Sequence, residues 1–214
     1  MCATTASALE PPAVMARLRA ATRDHHRTLD HHPELQRLLR PGLTRHGYAR
    51  SLAAMLAPHA ALERAVWQGG QALGLEYTLS PRRAPRLIAD LKALEGELGE
   101  GSDRASAHVG HDAAGADLYA FPTVSCPAQL LGLRYVLEGS RLGGEVLARA
   151  IRRALGNDAP VGFLADGEAR HHWESLCACA ERDLRTRALE ESAIESAQDA
   201  FVAYRAGLNP WKLT

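Results

Sequence analysis

The sequence predicts an all-α protein. Three observations carry that expectation: apolar residues recur at three- and four-residue spacing along most of the chain, no alternating stretch of useful strand length occurs, and the breaks fall at proline, glycine and capping residues. No internal repeat is present.

Residues 1–12 read as a flexible tail ending at Pro11-Pro12. From Val14 to Leu29, the residues Val14, Leu18, Ala21 and Leu29 share one helical face, and the helix should stop near His32 because Pro33 disfavours helix in the residue before it. A short helix over Glu34–Leu39 ends at Pro41-Gly42. Thr44 is placed to cap a long helix through Leu73, bent at Pro58. Ser80-Pro81 reads as the next helix start, with Leu87, Leu91, Leu94 and Leu98 on one stripe. Residues 99–124 form the longest irregular segment. Ser125 is expected to cap a helix from Pro127 to Leu155. After a loop at Asn157–Pro160, helices are expected over Asp166–Arg185 and Leu189–Ala206. One domain over 13–208, with a C-terminal tail at 209–214, suits a chain of 214 residues.

Composition narrows the function classes. Basic and acidic residues number 25 each, so nothing favours nucleic acid or an anionic membrane, and a compact small-molecule or protein-binding role is the better expectation. No run approaches the ~18 apolar residues of a membrane span, and the N-terminus lacks the pattern of a signal peptide. The four cysteines, Cys2, Cys126, Cys177 and Cys179, form no C-x-x-C pair. A cytoplasmic protein with free thiols is expected.

Two segments could carry chemistry. In Leu137-Glu138-Gly139-Ser140-Arg141-Leu142-Gly143-Gly144, three glycines sit inside a helix, at about 1 kcal/mol each relative to alanine. Glycines four apart, at 139 and 143, strip one face of side chains and let something flat approach the backbone. Close helix packing or a kink would explain them equally well. The first helix carries His25, His26, His31 and His32. Adjacent residues on a helix diverge by ~100°, so neither pair converges on one ion. One histidine facing a pocket as an axial iron ligand and a solvated polar patch both remain open readings.

The segment Leu18-Arg19-Ala20-Ala21-Thr22-Arg23-Asp24-His25-His26 resembles the opening helix of heme oxygenases, where a threonine precedes the proximal histidine by four. That register selects His26. Tyr135 to Gly144 is similar to the family's distal helix in its bacterial form, with Glu-Gly-Ser. Leu75-Glu76-Tyr77 with Arg83, Leu87 and Asp90-Leu91 resembles the middle helix, and His172-Trp173 and Phe201-Val202-Ala203-Tyr204 resemble the C-terminal helices. Together these motifs span about Leu18 to Leu208 in the family's order.

The resemblance implies a helical bundle clamping heme, as cofactor and substrate, between a proximal and a distal helix. His26 would ligate the iron, while Gly139, Gly143 and Gly144 would let the distal backbone approach it. Arg19 and Tyr135 would contact the propionates. Ser140 and His59, the latter at a position where some bacterial members place a distal histidine, would serve the distal water network. The reaction implied consumes dioxygen and yields biliverdin, ferrous iron and carbon monoxide. The chain has no flavin or iron–sulfur motif, so a ferredoxin or flavoprotein reductase would supply electrons, and a bacteriophytochrome could accept the biliverdin. The aspartate of the animal-type distal motif is absent, and Arg141 stands where relatives carry a short polar residue. Those departures keep open a protein that stores or senses heme without degrading it. A di-iron relative of the fold would need paired Glu-x-x-His motifs, and only Glu168-Ala169-Arg170-His171 matches. The paired histidines at 171–172 and the Cys-x-Cys acquire no role.

Overall fold

In a computed structural model, residues 13–75, 79–98 and 121–208 are described. The tails expected at 1–12 and 209–214, Glu76-Tyr77 and most of the irregular 99–124 segment lie outside them. Among the described residues the regular elements are seven helices, as the sequence predicts.

Helix α1 (Ala13–Asp30) buries Val14, Met15, Leu18 and Thr22, and Thr22 satisfies its hydroxyl by donating to the Leu18 carbonyl at 2.7 Å. His32 ends the connection by capping the short α2 (Pro33–Arg37), its ring accepting from the Glu34 amide. Helix α3 (Arg45–Ala72) begins where expected, with Thr44 Oγ1 accepting from Gly47 at 3.0 Å, and runs unbroken through buried Pro58. Helices α4 (Ala84–Leu98), α5 (Pro127–Leu155), α6 (Ala169–Asp183) and α7 (Arg187–Gly207) complete the bundle. Leu52, Leu62, Leu87, Leu91, Leu94, Leu133 and Ile151 are among the residues sealed in its apolar core.

Two predicted helix starts and one predicted cap are corrected. Helix α4 begins at Ala84 rather than at Ser80-Pro81, because its cap is tertiary: the Glu63 carboxylate of α3 accepts from the amides of Arg83 and Ala84. The N-cap of α5 is Cys126, not Ser125, whose amide and hydroxyl instead donate to Gln129 Oε1 at 2.8 and 2.9 Å. The sixth helix starts at Ala169, since Asp166 Oδ1 is occupied in accepting from the Glu168 amide.

Helix α7 organises the rest. Cys126, Gln129 and Gly132 of α5 meet Ser192, Ser196 and Ala193–Ala197 of α7. A Cβ on Gly132 would overlap the Ala193 carbonyl oxygen, so glycine is what permits this close crossing. On its other side, α7 receives α1: Arg17 pairs with Glu190, and Gln198 donates to the Ala21 carbonyl at 2.9 Å. Residue numbers rise together in both sets of contacts, so α1 and α5 both run in the direction of α7. The loop between α5 and α6 is pinned to α4 by Asp90, which accepts from the amides of Gly162 (3.0 Å) and Phe163 (2.8 Å).

Candidate functional site

Helices α1 and α5 meet where the Thr22 hydroxyl lies 3.4 Å from the Tyr135 hydroxyl. One turn beyond that contact α1 presents His26. Because the two helices run the same way, the next turns of α5 present Gly139 and then Gly143. Among the described residues, a Cβ on Gly143 would meet nothing within 4 Å, and one on Gly139 would touch only the edge of Trp173 at 3.7 Å. The same face of α5 carries Leu142 and Val146, apolar side chains 36% and 54% exposed. The result is an open, side-chain-poor, apolar strip, with Trp173 at its edge.

His26 is well placed to ligate. Its side chain is 59% exposed, Nδ1 lies 2.8 Å from Asp30 Oδ2 one turn on, and the ring meets Phe201 edge-on at 5.8 Å between centroids. The carboxylate stands beside Nδ1 as an ion contact rather than an aligned hydrogen bond, and a carboxylate on that side of the ring suits a histidine whose Nε2 faces a metal. The other histidines of the segment have other tasks or settings. His31 Nδ1 contacts the Arg27 carbonyl at 2.6 Å, His32 caps α2, and His25 is half-buried.

The remaining expected site residues divide. Tyr135 is buried between Thr22 and Trp173 (5.6 Å between rings), at the end where both rows begin. Arg19 is exposed on α1, and its charge acts on the half-buried Cys177 thiol of α6. Gly144 does not share the open face. Its Cβ position points into the Leu164 carbonyl oxygen at 2.7 Å, so it serves close packing. Nor does His59 line the strip: it is 1% exposed, Nε2 is 3.1 Å from Glu63 Oε1, and its ring packs edge-on against Phe163. Burial of a neutral ring between helices explains that departure from the expected distal position. Trp173 stands at the edge of the strip, 3.7 Å from a Cβ placed on Gly139.

Behind the strip lies a polar network whose connections the sequence did not disclose. Glu63 gathers His59 and the amides of Arg83 and Ala84. The Arg83 guanidinium, 1% exposed, donates to the Phe163 carbonyl at 3.3 Å and to Ser140 Oγ at 2.6 Å, and its plane rests on the Phe163 ring. Ser140 is exposed beside Gly139 and Gly143, so the network reaches the open strip there. Arg141 points inward, pairing with Asp166, donating to the Pro81 carbonyl, and placing Nε 2.7 Å from Glu138 Oε2 as an ion contact rather than an aligned hydrogen bond.

Burial lowers the His59 pKa despite Glu63, keeping the imidazole neutral. Burial pushes the Glu63 carboxyl up, but the His59 contact and the two amides outweigh it and leave the pKa below its ordinary value. Burial, reinforced by the Arg141 charge, brings Arg83 down to about 10, which still leaves it cationic at neutral pH.

Among the described residues no group of three or more His, Cys, Asp or Glu side chains is arranged to hold a metal ion, and Glu168 faces His172 at 3.6 Å. Cys126, Cys177 and Cys179 are free thiols. No helix among the described residues is long and apolar enough to cross a membrane.

Comparison with known proteins bears on this geometry. The family model described as heme oxygenase matches residues 13–209. A heme oxygenase from Xanthomonas campestris is 36% identical over 90 residues, which are 41% of this chain and 54% of that protein, so the match spans about half the relative's length. Among solved structures, heme oxygenase from Leptospira interrogans is similar with a TM-score of 0.66 at 17% identity, covering 92% of this chain and 98% of that one. Heme oxygenase-1 from Synechocystis in complex with heme gives 0.67 at 18%, covering 92% and 91%. The Neisseria meningitidis enzyme gives 0.59 at 22%, covering 92% and 90%. At these identities the structures show a shared fold.

Proposed function

The chain belongs to the heme oxygenase family, and on that premise we propose that it binds heme between α1 and α5 and opens the ring to biliverdin, ferrous iron and carbon monoxide. The observation that carries this reading is the pairing of two parallel rows: His26 with Asp30 beside its ring on α1 and the bare Gly139–Gly143 strip on α5. Bound heme would supply the iron that activates dioxygen and the ring that is oxidised.

The protein's own part follows from its residues. His26 would donate Nε2 to the iron, held by Asp30. Gly139 and Gly143 would bring the distal backbone to within contact of the ring, leaving room for small molecules only, while Leu142 and Val146 cover its apolar surface. Arg19 and the Tyr135 hydroxyl would take the propionates, charge-assisted in the first case. Electrons would come from a ferredoxin or flavoprotein reductase in the cytoplasm, and a bacteriophytochrome is one acceptor for the product. Arg141, the residue that left room for a non-degrading heme binder, is buried and engaged elsewhere, which favours the enzyme.

Titration with hemin, followed by ascorbate or reduced ferredoxin in air, tests the reading. A near one-to-one Soret complex that decays into biliverdin absorption is expected, and His26→Ala should lose the normal complex. A Soret band that endures under reductant would make the protein a heme binder instead. Failure to bind hemin would leave the family fold without this function.

A further inference from the structure

Arg83 is a buried cation whose guanidinium has no carboxylate partner among the described residues. Its Nη1 donates to a backbone carbonyl, its Nη2 to Ser140 Oγ, and its Nε is buried without a partner. The neighbouring cation Arg141 is handled differently, with two carboxylates against it. A sealed, unpaired charge is costly, and proteins keep one mainly where it acts on something.

Its direction is informative. The Ser140 hydroxyl accepts from Arg83 and donates to the Leu137 carbonyl at 2.6 Å, so its one hydrogen is committed to the backbone. What Ser140 can still offer toward the strip is acceptor capacity backed by a positive charge. Glu63, in turn, fixes the Arg83 backbone through its amide and is itself held by His59.

We propose that Arg83 sets the electrostatics of the distal face: lying behind Ser140, it places a fixed positive charge behind the Gly139–Gly143 strip and favours anionic ligands there. The inference rests on the heme-binding reading above. The charged and titratable groups around Arg83 are Glu63 and His59 of α3, Glu138 and Arg141 of α5, Asp166 before α6, and Tyr204 of α7. Three carboxylates face two guanidiniums, but Glu63 and Asp166 direct their hydrogen bonds to His59, Arg141 and backbone amides, and Glu138 makes its ion contact with Arg141, none with the Arg83 side chain.

The test uses the ferric heme complex of the full chain and compares azide, an anion, with imidazole, neutral at mildly alkaline pH. Arg83→Met should weaken azide binding roughly tenfold, as loss of a unit charge acting through an effective dielectric of about 20 implies. Imidazole binding should stay within about twofold, and Arg83→Lys should keep azide affinity near wild type. An unchanged azide affinity in Arg83→Met, or equal loss for both ligands, would overturn the inference while leaving heme binding intact. If wild type binds no hemin, the function reading fails and this one goes with it. Should Arg83→Met not fold, Ser140→Ala on the exposed side decides. Removing the acceptor leaves Nη2 free to an anion, so azide should tighten about threefold, and unchanged or weaker azide binding would refute the proposal.

Discussion

Gly143 allows the reading of the site to be tested by two opposite effects of one position. It lies mid-helix, with an ordinary helical backbone and, among the described residues, nothing within 4 Å of a Cβ placed on it. A mid-helix glycine is about 1 kcal/mol less favourable than alanine, and here no packing offsets the gain. Gly143→Ala should therefore stabilise the heme-free protein by about 1 kcal/mol, or about 2–4 °C in Tm for a domain of this size. Gly143→Leu keeps good helix propensity and fills the strip with four carbons where a flat ring needs van der Waals contact. It should weaken hemin binding at least roughly tenfold, about 1.4 kcal/mol. Thermal melts of the heme-free protein and hemin titrations read the two effects separately. A lowered Tm in Gly143→Ala would mean that the face is packed rather than open. Hemin affinity unchanged in Gly143→Leu would mean that the ring does not lie there.

Other perturbations follow from the same structure. Gly132→Ala and Gly144→Ala meet the backbone carbonyls of Ala193 and Leu164, so both should destabilise by about 1–3 kcal/mol despite better helix propensity, as seen in denaturant midpoints. Asp30→Ala frees the His26 ring and should weaken hemin binding roughly 10–100-fold with little change in the stability of the heme-free fold, measured by the Soret titration. His59 and Glu63 both have pKa values lowered by folding, so the unfolded chain binds more protons as pH falls. Stability is therefore present above the ordinary histidine value of 6.5 and is lost as pH drops below it. Denaturant melts at about pH 7.5 and about pH 5.5 should show the loss, and His59→Gln should flatten it. Asp166→Ala removes one of the two carboxylates from buried Arg141 and should cost about 3 kcal/mol, measured in the same melts.

The helices were legible because each buries one face, and burial writes a 3.6-residue period into the sequence whatever the partner is. Thr44 was legible as a cap because the hydroxyl and the amide it serves are three residues apart. The start of α4 was not, because its cap is Glu63, 20 residues earlier and on another helix. Ser125 failed as the cap for a smaller reason: Gln129 takes its hydroxyl, and Cys126 occupies the cap position while the helix still starts at Pro127.

The same distinction divides the site. Gly139 and Gly143 could be found because their spacing alone places them on one face. That Gly144 belongs to a different face also follows from helix geometry, yet what it meets, the Leu164 carbonyl, comes from a loop twenty residues on. His59 drew notice because it matches a position where some bacterial members of the family place a distal histidine, although a buried imidazole can lie anywhere along a chain of hydrogen bonds. Here the chain runs His59, Glu63, Arg83, Ser140, and only its last member reaches the open strip. Its residue nearest that serine is Arg83, which the resemblance places with the middle helix but to which the sequence assigns no role or partner. Sealing its charge against Phe163 is what separates it from the other basic residues. A helix pattern reports which side chains are covered but not what covers them, and the chemistry of this site depends on the latter.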